Sequence, residues 1–151
     1  MARARPPGWV RGFMSDGDLE AVRRAIVEAE AATSGEIRVH LDARCPGDPM
    51  ARAVALFERL GMTRTAHRSG VLIYLAVEDR KLAVIGDAGV HARVSDEYWE
   101  SLKEMMVAHF RQGRPRDGIT SAVRDVGETL RRHFPRAPDD RDELSDEVSL
   151  G

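Results

Sequence analysis

Ser69-Gly70 opens an unbroken apolar run, Val71-Leu72-Ile73-Tyr74-Leu75-Ala76-Val77, and that run decides the fold. Glu78-Asp79-Arg80 interrupts it, Lys81-Leu82-Ala83-Val84-Ile85 resumes it, and Gly86-Asp87-Ala88-Gly89 closes it. Two short apolar runs around a tight polar turn, with glycines where the chain leaves, predict a β-hairpin. A strand that is apolar on both side-chain faces must be covered on both faces. The run at 71–77 is therefore expected to be central, with helices on either side. An exposed all-β sheet is excluded.

Upstream, Ser15 to Ala32 reads as a helix. Ser15 with Asp18 has the spacing of a capping box, Met14 with Leu19 supplies a hydrophobic staple, and Leu19, Val22, Ile26 and Ala29 make one apolar stripe. Thr33-Ser34-Gly35 ends it. Glu36 to Leu41 then alternates, with Ile37, Val39 and Leu41 on one face and Arg38 and His40 on the other, marking a strand less buried than 71–77. Asp48-Pro49 opens a second helix with an N-cap acceptor and a proline in the first turn, and Gly61 ends it. That helix joins two strands, and a right-handed crossover makes those strands parallel. The expected fold is an α/β, single-domain αβα sandwich: a small mixed sheet of a parallel pair plus an antiparallel hairpin strand, with helices on both faces.

Downstream, Ser95 caps a third helix whose first turn holds Asp96 and Glu97 and whose apolar face runs from Tyr98 to Phe110. Gly113 to Gly118, with Pro115, reads as a loop, and Ile119, Val123, Val126 and Leu130 mark a fourth helix that stops at Pro135. Three segments follow: a basic, flexible N-terminus at 1–12, a domain at 13–135, and an acidic tail at 136–151. Composition reads the tail as disordered. Leu144 and Val148 are its docking candidates, with order expected around Leu144 and a mobile end.

Length and composition bound the function. The chain has 151 residues, 42% hydrophobic and 32% charged, as an ordinary globular domain does. A net charge of −2 gives no overall attraction to nucleic acid. Cys45 is the only cysteine, so no intrachain disulfide and no thiolate-rich zinc site can form. Met1 to Gly12 lacks the apolar stretch of a signal peptide, and no window nears the roughly twenty apolar residues of a membrane span. No nucleic acid partner, no membrane and a cytoplasmic location are expected.

The topology sorts polar residues to two ends of the sheet. Ser34-Gly35-Glu36, Ser69-Gly70 and Gly86-Asp87-Ala88-Gly89 fall at one end, where the helix beginning at Ser95-Asp96 also starts. Asp42, Asp48, Glu78, Asp79 and the loop with Asp117 fall at the other. Carboxylates beside glycine loops with hydroxyls and carbonyls nearby suit a hard, oxygen-donor cation. Glu36, Asp87, Ser34 and Asp96 are accordingly the candidate ligands for calcium or magnesium. The alternative is a solvated strand end and a turn residue. Arg68 beside this site weakens any cation affinity. Asp42 with Asp79 is a second, poorer candidate, and Glu78-Asp79-Arg80 reads mainly as a turn in which Asp79 bonds turn amides and Arg80 pairs locally. Nucleophilic chemistry finds no support. The sixth residue after Cys45 is Ala51, with Arg52 one place late for a Cys-x5-Arg loop; Asp42-Ala43-Arg44 is not Asp-x-Asp; and no P-loop, G-x-G-x-x-G or H-E-x-x-H occurs. The five histidines are scattered singly.

Thr33-Ser34-Gly35-Glu36-Ile37, Gly70 to Val77, Asp79-Arg80-Lys81, Ile85-Gly86-Asp87-Ala88-Gly89 and Phe110-Arg111-Gln112-Gly113 to Gly118-Ile119 together resemble the TPM domain family in order and spacing. The resemblance covers roughly residues 13–150. It is closest to the short bacterial branch, whose ending is similar to Asp139-Asp140 and Glu143-Leu144-Ser145-Asp146-Glu147. It implies a Rossmann-like domain, divalent cation binding as in some TPM domains, and a weak acid phosphatase activity as described for some relatives. With neither a leader nor a span read in these residues, the family's membrane and lumen settings are not expected to transfer. The expected function is a module that binds divalent cations and a protein partner, the acidic tail offering a surface to a basic partner. A weak metal-dependent phosphatase and a non-catalytic structural adaptor are the alternatives.

Overall fold

The computed structural model describes residues 6–136 and 146–151. The elements in chain order are α1 (Gly8–Arg11), α2 (Asp16–Glu30), β1 (Glu36–Asp42), α3 (Pro49–Arg59), a 3-10 turn (Met62–Arg64), β2 (Gly70–Ala76), β3 (Lys81–Gly86), α4 (Ala88–His91), α5 (Asp96–Arg111), α6 (Pro115–His133) and β4 (Ser149–Leu150). They form an α/β fold around one mixed sheet of order β3-β2-β1-β4. β1 and β2 run parallel, with Glu36 opposite Gly70 and Asp42 opposite Ala76. β3 returns antiparallel to β2, with Val71 opposite Gly86.

Local chemistry sets the element ends. Ser15 and Asp18 exchange side-chain and backbone bonds as a reciprocal capping box on α2. Asp48 accepts from the amides of Met50 and Ala51, and Pro49 supplies the first turn of α3. α6 begins at Pro115, so the segment read as a loop up to Gly118 is already helical from Pro115 onward. Proline in the first turn starts a helix because its missing N–H is one that no helix would use there.

All seven residues of β2 are buried. On one side Ile37, Val39, Leu41, Val71, Ile73 and Leu75 pack against α2, α5 and α6 through Val22, Ile26, Leu102, Met106, Val123 and Leu130. On the other side Leu72, Tyr74, Ala76 and Ala83 pack against Ala53, Leu56 and Phe57 of α3 and against Met62. The expected layers are present. β1 is more buried than its alternation suggested, because His40 and Asp42 are paired rather than solvated.

The chain's end is where the structure departs furthest from composition. Read as the mobile part of the tail, it forms β4, which runs parallel to β1 with Ser149 opposite His40 and Leu150 opposite Leu41. Gly151 donates its amide to the Leu41 carbonyl at 2.8 Å, and Val148 packs on the larger core. Leu144 lies outside the described residues.

Helices α2 and α6 approach closely because Gly127 has no side chain: a Cβ there would lie 2.6 Å from the Cβ of Ala29. Helix propensity favours Gly127→Ala by about 1 kcal/mol. Contact that tight costs more, at roughly 1–3 kcal/mol for an overpacked core. Gly127→Ala should therefore lower stability in urea unfolding; an unchanged or raised midpoint would contradict the packing described.

Candidate functional site

β1 has β2 on one side, but β4 reaches only its last residues. Glu36 donates its amide to Ser69 on the β2 side at 3.2 Å, so the next residue, Ile37, turns its N–H to the uncovered edge. Glu30, at the last position of α2, fills that edge. Its Oε2 accepts the Ile37 amide at 2.7 Å. The helix end thus supplies a side-chain acceptor where, among the described residues, the sheet has no strand.

Among the described residues the other oxygen of Glu30 has no N–H donor, and it faces the carboxyls of Glu36 and Asp146. Glu30 and Glu36 are each 2% exposed. Burial, more than any other influence, pushes the Glu30 carboxyl up to about 11, and its bonds to Asp146 and Glu36 push the same way while the Ile37 amide opposes. Two carboxyl groups in contact share a hydrogen bond only if one of them holds a proton. Glu30 is therefore kept in its acid form at neutral pH, and these carboxyls need either that proton or another positive charge between them. Arg38, beside them on β1, is half-buried, and burial lowers its own pKa against the field of Glu30.

The other predicted ligands go elsewhere. Asp87 follows β3 and donates its amide to Gly70 at 2.8 Å, so it does lie at the Glu36 end, on the far side of β2. Its carboxylate is held by Arg68 in a two-point ion pair, 2.7 and 2.8 Å, and caps α4 through the Ala88 amide at 2.8 Å. The cation expected to weaken the site in fact occupies one of its ligands. Arg68 adopts a left-handed backbone, φ 51°, pinned by this pair and by the Gly89 amide on its carbonyl. Gly89 must be glycine, since a Cβ would collide with the His67 carbonyl oxygen. Ser34 donates its amide to the Phe134 carbonyl at 2.9 Å, and its hydroxyl lies 3.5 Å from the same oxygen. Asp96 is exposed in the first turn of α5. Among the described residues no three or more His, Cys, Asp or Glu side chains are already set as a metal-binding group.

At the opposite end, Asp42 and Asp79 are both committed to structure. Asp42 takes bonds from Arg52 at 2.9 Å, Tyr74 at 2.7 Å and His40 at 2.9 Å. Burial alone would raise its pKa, but these donors outweigh it and hold the carboxyl at about 2. Asp79 bonds the Cys45 amide at 2.7 Å rather than its own turn, and Glu78 pairs with Arg44. The turn acids thus tie the hairpin to the loop after β1.

The TPM domain profile matches residues 10–129. The chain belongs to the TPM domain family. This TPM domain is similar to the BA42 protein of the psychrophilic bacterium Bizionia argentinensis, solved by NMR, at 38% identity and a TM-score of 0.85 over 92% of this chain and 96% of that one. Two more distant structures share the fold. The N-terminal domain of the cg2496 protein of Corynebacterium glutamicum has 17% identity and a TM-score of 0.62, covering 86% of this chain and 87% of that one. The N-terminal domain of a P. gingivalis protein has 19% identity and a TM-score of 0.68, covering 83% of each chain. No curated protein matches. Among the described residues of this TPM domain, no helix is long and apolar enough to cross a membrane.

Two site features are not marked by any sequence pattern. Glu30 lies off the apolar stripe of its helix and belongs to no motif, although it stands six residues before Glu36 across a short turn. The alternation places His40 with Arg38 on the less buried face of β1, yet its Nδ1 meets the Ser149 hydroxyl at 2.8 Å while Nε2 meets Asp42. With Nε2 donating to Asp42, Nδ1 is free to accept the Ser149 proton, so neutral His40 fastens β4.

Burial is the largest influence on His40 and lowers its pKa, with Asp42 acting against it. The folded protein therefore binds fewer protons there than the unfolded chain, and stability is full above the unfolded value of about 6.5 and declines as pH falls below it. Between pH 7.5 and 5 the melting midpoint should change less favourably in the wild type than in His40→Gln, because only the wild type loses this neutral imidazole, while the acid form of Glu30 stabilises both proteins alike as pH falls. Equal changes in both proteins would contradict the role given to His40.

Proposed function

We propose that this TPM domain is a binding module for a hard divalent cation, calcium before magnesium, at the Glu36 end of its sheet. One observation carries the reading: Glu30 and Glu36, both buried, are in contact with each other's carboxyl, with Asp146 joining from the C-terminal segment. Taking carboxylates out of water costs several kcal/mol per ion unless opposite charge is supplied. A proton supplies it in the cation-free protein. Oxygen donors of this kind are those that calcium prefers, and its flexible coordination suits a site that must still gather ligands. The set Glu36, Asp87, Ser34 and Asp96 does not converge as a whole, because Arg68 holds Asp87. Glu36 remains and Glu30 joins it, whereas Asp87, held by Arg68 on the far side of β2, lies outside this site.

A weak metal-assisted phosphatase is the second reading, and a distinct feature favours it. A pocket of about 280 Å³ at this end is lined by Ser34, His67, Arg93 and His133. Arg93 lies over the Phe134 ring at 4.8 Å, and its guanidinium also bonds the Gly89 carbonyl. Such a basic pocket suits an anion. It holds no nucleophile paired with a base, so hydrolysis of a generic phosphomonoester should stay near background. The acidic tail remains the proposed surface for a protein partner; Asp139, Asp140, Asp142 and Glu143 lie outside the described residues.

Cation binding must displace the proton on Glu30, so affinity should rise with pH, by up to about tenfold per unit for one proton released. Calorimetric titration of calcium at pH 6, 7 and 8 checks this. Glu30→Gln mimics the protonated acid and should keep the fold while losing binding, as should Glu36→Gln. Binding that ignores pH and survives both changes would sink the reading. Amide shifts confined to residues 42–48 and 78–80 would move the site to the other end.

A further inference from the structure

At the end of the sheet opposite the carboxyls lies an apolar groove of about 670 Å³ between the β2–β3 hairpin and the last turns of α5. Phe13, Leu82, Val107 and Phe110 line it, all only half-buried, with Phe13 and Phe110 edge-to-face at 6.0 Å. Large apolar side chains left half-exposed around one depression mark a surface that another molecule covers.

The rim of the groove has one sign of charge. Arg80 and Arg111 stand on it, both exposed, and no acidic residue among the described residues lines it. The acids next in sequence are turned away: Glu78 pairs with Arg44 and Asp79 with the Cys45 amide. The Lys81 ammonium is likewise spent on the carbonyls of Cys45 and Gly47, at 2.7 and 3.0 Å. Among the described residues neither Arg80 nor Arg111 has a carboxylate partner. Arg80 moreover holds a left-handed backbone, φ 53°, a position that glycine or asparagine fills at lower cost. Such conformations in bulky residues concentrate where a side chain is used.

From this charge pattern we propose that the groove binds an acidic peptide segment of a partner protein, one that seats one or two large apolar side chains between Phe13, Val107 and Phe110 and sets flanking carboxylates against Arg80 and Arg111. A free acyl carboxylate carries the same charge, but small ligands bury most of their surface. A lining this open encloses a side-chain anchor and leaves a free acyl chain in water. Aromatic anchors in a pocket ringed by arginine are the usual centre of peptide affinity. This site is separate from the carboxyl cluster and stands or falls without it.

The test uses the full chain, isotope-labelled, titrated with the synthetic peptide acetyl-Glu-Asp-Leu-Phe-Asp-Glu-amide and with its counterpart carrying lysine at every acidic position. The acidic peptide should shift the amides of Arg80, Leu82, Phe110 and Arg111. Arg80→Glu and Arg111→Glu should each weaken it by about fivefold or more. Arg80→Gly, which relieves the left-handed strain, should also weaken binding while the melting temperature does not fall. The proposal is overturned if the acidic peptide shifts nothing at millimolar concentration, if the lysine peptide binds equally well, or if decanoate shifts these amides while the peptide does not. A fall in melting temperature that accompanies the loss in Arg80→Gly would give Arg80 a structural role instead.

Discussion

β2 has no side chain in water, and the rest of the architecture follows from that constraint. Both faces of its sheet need a cover, so α2, α5 and α6 take one and α3 the other. The helix between β1 and β2 forces a parallel pair. The hairpin then places β3 at one edge of the sheet and leaves β1 facing outward at the other. Among the described residues, nothing in the αβα arrangement supplies a full-length strand for that second edge. The chain completes it with two makeshift partners, the Glu30 carboxyl at Ile37 and the two-residue β4 at His40 and Leu41.

That solution has a chemical cost, and the cost is what makes the edge interesting. A carboxylate makes a good acceptor for a backbone N–H, yet its second oxygen is buried against Glu36 and Asp146. Each unit of pKa displacement corresponds to about 1.4 kcal/mol between protonation states. A carboxyl raised well above its ordinary range makes the ionised, cation-free site less favourable than the protonated one at neutral pH. Positive charge placed among these oxygens removes that penalty. The C-terminal segment shares in it twice, through Asp146 at the carboxyls and Ser149 at His40, so the state of the edge and the seating of the chain's end are coupled.

What could be read from the sequence was whatever is local. The Ser15–Asp18 box, the Asp48-Pro49 helix start and the apolar runs at 71–77 and 81–85 lie within a few residues of their partners, and each appears as expected. The family motifs at Ser34-Gly35-Glu36 and Gly86-Asp87-Ala88-Gly89 do share one end of the sheet. The features that escaped are long-range or ambiguous in type. β4 is two residues long, and its partner lies more than a hundred positions away. Pro115 fits a loop as well as a first helical turn. Asp79 serves the loop at Cys45, which no turn pattern encodes. The pairing of Arg68 with Asp87 depends on a left-handed residue that the sequence does not announce. Glu30 was invisible because a polar residue at a helix end ordinarily needs no explanation; only the open edge of β1 gives it one.

The central claim is that Glu30 is an acid held by its neighbours until a cation replaces its proton. Carbon-detected NMR of the side-chain carboxyls, followed from pH 4 to 9, addresses it directly. Without cation, the Glu30 resonance should stay in its protonated position through neutral pH, and calcium should move it to the ionised position. A Glu30 that titrates near the ordinary 4.5, unaffected by calcium, would contradict the account.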